Sequence, residues 1–236
     1  MSEQQKIAPR DWSSHPPYLY LPYKSTEFRA PSKPLVRLTQ TGSELTAPVF
    51  GAGSIGALDN DLTKNAVKHG EVQGERLTVS GRILDESGRP VRKTLVEIWQ
   101  TNAAGRYTHV NDRHDAPLDP NFHGAGRCMT NDDGEYTFTT IRPGAYPWRN
   151  HPNAWRPAHI HFSLFGTAFV TRLITQMYFP GDPLHAADPV LHSVRDEAAR
   201  QRLIAKFSMQ RTQPDWALGY EFDIVLRGPK ATPMET

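Results

Sequence analysis

The sequence predicts a mainly β protein: an antiparallel β-sandwich with an extended N-terminal arm and about one short helix. Three observations carry this. From residue 76 onward, short runs of β-branched and aromatic residues alternate with turn residues. Before that point Pro16, Pro17, Pro22, Pro31, Pro34 and Pro48 interrupt any period a helix would need. Only one later segment, following Ser193, joins a helix start signal to an apolar stripe.

Residues 1–75 are read as a Pro-rich arm. It carries Trp12, Tyr18, Tyr20, Tyr23, Phe28 and Phe50, too much aromatic surface for a disordered tail, so the arm is expected to pack on its own core or on a partner subunit. Residues 76–236 are then the β-sandwich itself. Residues 76–84, a turn over 85–90 and residues 91–100 read as strand, turn, strand. Further strands are expected over 134–141, 158–165, 169–179 and 219–227, with Asn131-Asp132-Asp133-Gly134 as another turn. Ser193 is the expected cap of the helix, with Asp196 and Glu197 in its first turn and Val194, Ala198, Leu203, Ile204 and Phe207 as its apolar side.

Composition excludes several function classes. The 27 Lys and Arg nearly balance 25 Asp and Glu, giving a formal charge of +2, and no dense basic run marks a nucleic-acid or anionic-membrane partner. Cys128 is the only cysteine, so an internal disulfide and a zinc site built on cysteine pairs are both excluded. The first residues lack the apolar core of a secretory signal, and no stretch reaches membrane-spanning length, so a soluble cytoplasmic protein is expected. No phosphate loop, serine-nucleophile motif or HExxH helix is present; the glycines at 51, 53 and 56 precede no βαβ pattern.

The chemistry concentrates in four residues. His159 and His161 stand two apart in a β-type run, which puts both imidazoles on one face of a strand and within reach of one metal. Tyr146 lies 13 residues upstream of His159, and Tyr107 a further 39 before that, each in a loop stiffened by Pro or Gly. Taken singly, the histidine pair reads equally as a strand's polar face, and each tyrosine as a packing residue with a bonded hydroxyl. Taken together, two imidazoles and two phenolates make an iron(III) site the leading hypothesis, because phenolates are hard anionic donors that favour ferric over ferrous iron.

The motifs around these residues are Trp99-Gln100-x-Asn102-x-x-Gly105-Arg106-Tyr107, Pro143-Gly144-x-Tyr146-Pro147-Trp148-Arg149 and Trp155-Arg156-Pro157-Ala158-His159-Ile160-His161. With Asp119-Pro120-Asn121-Phe122 and the ending Phe222 to Gly228, they closely resemble the intradiol ring-cleaving dioxygenases over roughly residues 10 to 230. The resemblance implies one non-haem Fe(III) per chain, held by Tyr107, Tyr146, His159 and His161, with Tyr146 the releasable ligand and internal base. It places Arg156 as a catalytic residue stabilising negative charge near the substrate. Gln176, Trp148 and Val190 would shape the substrate pocket, and Tyr23 would reach in from the arm to hydrogen-bond the substrate carboxylate.

Within the family the chain is most similar to the branch that cleaves protocatechuate with O2 to 3-carboxy-cis,cis-muconate. Members of that branch pair this subunit with a homologous, iron-free alpha subunit in a hetero-oligomer whose active site lies at the interface. Relatives acting on catechol or hydroxyquinol carry a helical dimerisation segment before the sandwich, which the Pro-interrupted arm does not suggest. A metal-free assembly subunit is the reading from a different class, and the four potential ligands in register argue against it. The remaining histidines at 109, 114, 123, 151, 185 and 192 are expected to be structural or exposed.

Overall fold

The computed structural model describes residues 13–36, 55–166 and 173–235; Trp12, Phe50, residues 51–54 and the start of the strand expected at 169 lie outside them. Two sheets face each other. The first is built on β1 (Arg76–Leu84), which pairs antiparallel with β4 (Glu135–Ile141) on one edge. On its other edge β1 runs parallel to β10 (Leu218–Glu221) and then β11 (Ile224–Val225), and β9 (Lys206–Phe207) closes that side against β10. The second sheet has the order β3-β2-β7-β8, from β3 (Ala125–Met129), β2 (Leu95–Trp99), β7 (His159–Phe165) and β8 (Leu173–Tyr178), all antiparallel. A short ribbon of β5 (Tyr146–Trp148) and β6 (Ala154–Arg156) stands beside it.

The protein is thus mainly β with several short helices and an N-terminal extension. The second sheet is antiparallel as expected, whereas the first is mixed. Its C-terminal strands arrive after a long helical crossover rather than a hairpin, and a crossover permits parallel pairing. Strand β3 escaped the sequence reading because Ala-Gly-Arg-Cys-Met has no β-branched residue; pairing with β2 makes it a strand.

The helix expected after Ser193 starts later, at Glu197, and a further short helix that was not expected precedes it. Helix α2 (Pro189–Ser193) ends at Ser193, whose hydroxyl donates back to the Val190 carbonyl at 2.6 Å. The following helix α3 (Glu197–Gln201) is capped by Asp196, which accepts from the Ala198 amide at 3.0 Å. Leu191, Val194, Ala199 and Leu203 pack with Tyr178, while Ala198 is exposed and Phe207 belongs to β9. In the arm, one helical turn, α1 (Thr26–Arg29), is the described helical structure.

The core fills the space between the sheets. Leu77, Val79 and Phe138 of the first meet Ile98, Ile160, Phe162 and Leu164 of the second, with Phe162 5.9 Å from Phe138 and 5.3 Å from Phe222 between ring centroids. Strand β7 is buried on both faces: Ile160, Phe162 and Leu164 point into this core, and His159, His161 and Ser163 point the other way. That second face is where the functional groups gather.

Candidate metal centre

Register builds the polar face of β7. In the second sheet His161 sits opposite Trp99 on one side and Gln176 on the other, and His159 sits opposite Tyr178. Paired residues share a face, so Trp99, His161, His159, Gln176 and Tyr178 form one patch. The Trp99 ring lies flat on His161, with 4.7 Å between centroids and 6° between planes.

The two histidines aim at one point. His159 Nδ1 lies 2.7 Å from the Pro157 carbonyl, and His161 Nδ1 lies 3.0 Å from a carboxylate oxygen of Glu235. Both partners only accept, so both Nδ1 atoms carry the proton and both Nε2 atoms present lone pairs. Those Nε2 atoms face each other at 3.2 Å, and the Tyr107 hydroxyl lies 3.2 Å from His161 Nε2.

Two interlocked loops deliver the tyrosines. Asn102, at the end of the β2 motif, accepts from the Ala104 and Arg106 amides and donates to the Pro117 carbonyl, fixing the turn before Tyr107. The Tyr107 amide itself donates to Asp112 at 2.7 Å. Gly144 donates its amide to the Asn102 carbonyl, and Thr101 Oγ1 donates to the Gly144 carbonyl, tying this turn to the loop before Tyr146. The contact requires glycines on both sides: a Cβ on Gly105 would sit 2.1 Å from the Ala145 carbonyl, and one on Gly144 would sit 2.4 Å from the Gly105 nitrogen. The Tyr107 and Tyr146 rings consequently stand edge to face at 5.5 Å, and Tyr146 is also 5.5 Å from the His159 ring.

Beside them Arg156 is held from three sides. Pairing of β5 with β6 sets it opposite Tyr146. Its Nη2 donates to Gln176 Oε1 at 2.6 Å, to the Tyr178 hydroxyl at 2.8 Å and to Asp188 at 3.0 Å. Asp188, fully buried, also caps α2 through the Val190 amide. The guanidinium lies 5.5 Å over the Trp148 ring, and Trp148 in turn meets Tyr23 at 5.3 Å. Asn150 brings Tyr23 there by bonding the Lys24 amide and the Pro22 carbonyl of the arm. Val190 lines a small cavity with Gln176, Tyr178 and Glu235.

All nine sequence-predicted site residues therefore fall in one neighbourhood. Sequence reasoning missed Trp99, Tyr178, Asp188 and Glu235. Trp99 opens the first motif, and Tyr178 follows Gln176 at the same-face spacing of a strand. Asp188 precedes Pro189, which is a helix start signal. For Glu235, 74 residues from its partner His161, no local signal exists.

Electrostatics define what the site can hold. Burial, then the neighbouring Tyr146, pushes the Tyr107 phenol well above its ordinary range. Burial also raises Tyr146, against the opposing pull of the Arg156 cation. His159 is driven down by burial, then by the Arg156 cation and the neighbouring His161, so it stays neutral. Among the described residues no group of three His, Cys, Asp or Glu side chains is disposed to hold a metal ion, so a metal here depends on tyrosine oxygen. The donor set fits ferric iron. Two neutral imidazoles converge their lone pairs with nothing of their own between them, and two buried phenols need a highly charged cation to lose their protons near neutrality.

Comparison with other proteins agrees with this chemistry. A family model described as Dioxygenase matches residues 45–228, and one described as Protocatechuate 3,4-dioxygenase beta subunit N terminal matches residues 8–41. The chain is 63% identical over 229 residues to the protocatechuate 3,4-dioxygenase beta chain of Burkholderia cepacia, covering 97% of each. It is 30% identical over 206 residues to the protocatechuate 3,4-dioxygenase alpha chain of Pseudomonas putida, covering 84% of this chain and 97% of that one. The crystal structure of 3-chlorocatechol 1,2-dioxygenase from Rhodococcus opacus 1CP shares the fold, with a TM-score of 0.55 and 23% identity over 76% of this chain and 70% of that chain.

Proposed function

This chain belongs to the intradiol dioxygenase family, alongside the beta chains of protocatechuate 3,4-dioxygenase, and from that membership we propose that it is the iron-bearing subunit of such an enzyme. The reaction is cleavage of protocatechuate between its two hydroxyl-bearing carbons, with both atoms of O2 entering the product, 3-carboxy-cis,cis-muconate, in the beta-ketoadipate pathway. The observation that carries the reading is the convergence of the His159 and His161 Nε2 atoms at 3.2 Å beside the Tyr107 hydroxyl.

Tyr107, Tyr146, His159 and His161 would hold one Fe(III) per chain. Bound ferric iron supplies electron withdrawal from the catecholate ring, which opens that ring to dioxygen. The rest falls to the protein's own groups. Tyr146 Oη is the base: burial makes its phenolate avid for a proton, so it takes one from a substrate hydroxyl. Arg156, a fixed cation opposite Tyr146, stabilises the negative charge that builds on the substrate oxygens. Gln176 and Asp188 orient that guanidinium. Trp148 and Val190 shape the apolar wall, and Tyr23 offers its hydroxyl to the substrate carboxylate from the arm.

The partner is a homologous, iron-free alpha chain, and the site is completed at their interface. Residues 1–75 serve as the arm lying on the sandwich and the partner, and residues 76–236 as the catalytic unit. Similarity to alpha chains as well as beta chains supports the pairing, since both arise from one fold. Among the described residues no helix is long and apolar enough to cross a membrane, and the assembly works in the cytoplasm.

The test is the visible spectrum of the co-expressed assembly before and after anaerobic addition of protocatechuate. A broad tyrosinate-to-iron charge-transfer band that shifts with substrate is expected. A preparation that stays colourless after iron reconstitution overturns the reading, and a band that responds to catechol but not protocatechuate overturns the substrate.

A further inference from the structure

The last residues of the described chain do not trail into solvent. Thr232 donates its amide to the Val225 carbonyl at 2.8 Å and accepts from the Val225 amide through Oγ1 at 3.0 Å. The Ala231 carbonyl accepts from Arg202 Nε at 2.9 Å, and the Pro233 carbonyl from Thr175 Oγ1 at 2.7 Å. The Met234 amide donates to His15 Nδ1 at 3.0 Å, and the Glu235 amide to the Ile174 carbonyl at 2.8 Å. Six bonds, to β8, β11, the arm and the residue after α3, thus order a five-residue segment. Their common result is one carboxylate beneath His161.

That carboxylate makes the two imidazoles unequal. The Nδ1 proton of His159 goes to a neutral carbonyl, and that of His161 to an anion at 3.0 Å. An anionic acceptor draws the Nδ1 proton away from the ring, raising electron density at Nε2 and fixing that nitrogen as the donor. Trp99, flat against the ring, removes the other freedom, rotation of the imidazole about its own axis. The side chain of Glu235 is only 18% exposed, so water screens this effect little.

We propose that Glu235 is a positioning residue of the metal centre: carried in by the C-terminal segment, it fixes the tautomer of His161, strengthens it as a ligand and biases the bound iron toward the ferric state. The inference rests on the iron site proposed above. Its test uses Glu235→Gln in the co-expressed assembly, which keeps side-chain volume and backbone bonds but removes the charge, and Glu235→Ala, which removes the acceptor. Three quantities are measured: iron loss to a chelator, the ferric/ferrous midpoint potential, and thermal unfolding of the metal-free assembly.

Glu235→Gln should lose iron about 10-fold faster than the parent, with the midpoint shifted to more positive potential and metal-free unfolding unchanged. Glu235→Ala should lose iron faster still. Variants that hold iron at the parental rate and potential overturn the inference. So does iron loss that only tracks a fall in metal-free stability, which would make Glu235 an anchor for the tail. A parent assembly that binds no iron overturns the function proposed above, and this inference with it.

Discussion

Cys128 shows how position decides the chemistry of a side chain. It lies in β3 with its thiol turned into the core, and burial pushes that thiol up to about 12. Thiolate is the reactive form, so the folded protein should resist alkylation with iodoacetamide up to about pH 10 and react once denatured. The linkage sign follows. The folded value lies above the unfolded one, so the contribution to stability is complete below the unfolded value near 9 and is lost as pH rises from there toward 12. Denaturation midpoints across pH 8–11 check this, and a Cys128 that titrates with dithionitrobenzoate at pH 8 in the native protein refutes it. The site phenols are raised by the same physics. In the proposed iron site that cost would be offset by a cation instead of by keeping the proton.

At the scale of elements, α2 and the β5-β6 ribbon are joined by one buried ion pair. Asp188 caps α2 with one oxygen and holds Arg156 with the other, and neither side chain is more than 5% exposed. Asp188→Asn keeps a capping oxygen but leaves Arg156 as an uncompensated buried charge, which should cost about 3–5 kcal/mol of stability. Asp188→Ala should cost about 1 kcal/mol more through loss of the cap. Denaturant unfolding of the metal-free assembly measures both, and a loss below about 1 kcal/mol for Asp188→Asn would show that Gln176 and Tyr178 alone suffice to hold Arg156. The strands over 76–84, 134–141 and 158–165 were legible because alternation and turn residues mark them directly. Strands β3, β5, β6 and β9 were not, since each is short or lacks β-branched residues and exists through its pairing partner. The two-helix break at Ser193 was illegible for a related reason: Ser193 serves equally as a cap and as a C-terminal donor, and tertiary packing chooses.

The whole molecule leaves apolar surface on the arm that one chain does not cover. Phe28 is 89% exposed, and Leu21, Leu35 and Val36 are exposed with it. The chain produced alone should therefore self-associate or precipitate, and co-production with an alpha chain should give a discrete hetero-oligomer by size-exclusion chromatography with light scattering. A lone chain that is soluble, monomeric and fully active would sink the heteromer proposal. Tyr23 belongs to this scale, because the Asn150 bonds that bring the arm to Trp148 are made across more than 120 residues.

Six of the nine residues expected at the site, Tyr107, Tyr146, Trp148, Arg156, His159 and His161, stand in local motifs: His159 and His161 share a strand face by period alone, and Gly105, Asn102 and Gly144 stand beside the tyrosines they position, whereas Tyr23, Gln176 and Val190 were named only through the family resemblance. Strand alternation and glycine turns are properties of neighbouring residues, so the sequence by itself determined the strands over 76–84, 134–141 and 158–165, the Pro-interrupted character of the N-terminal segment and the four candidate donors, two imidazoles and two phenols. Folding decided what depends on distant segments meeting. The register that sets Trp99 and Gln176 beside His161, the parallel return of β10 and β11, and the delivery of Glu235 to His161 are long-range pairings that no local pattern encodes. Short-range sterics write themselves into adjacent residues, whereas a hydrogen bond spanning 74 positions is fixed only when the whole core closes.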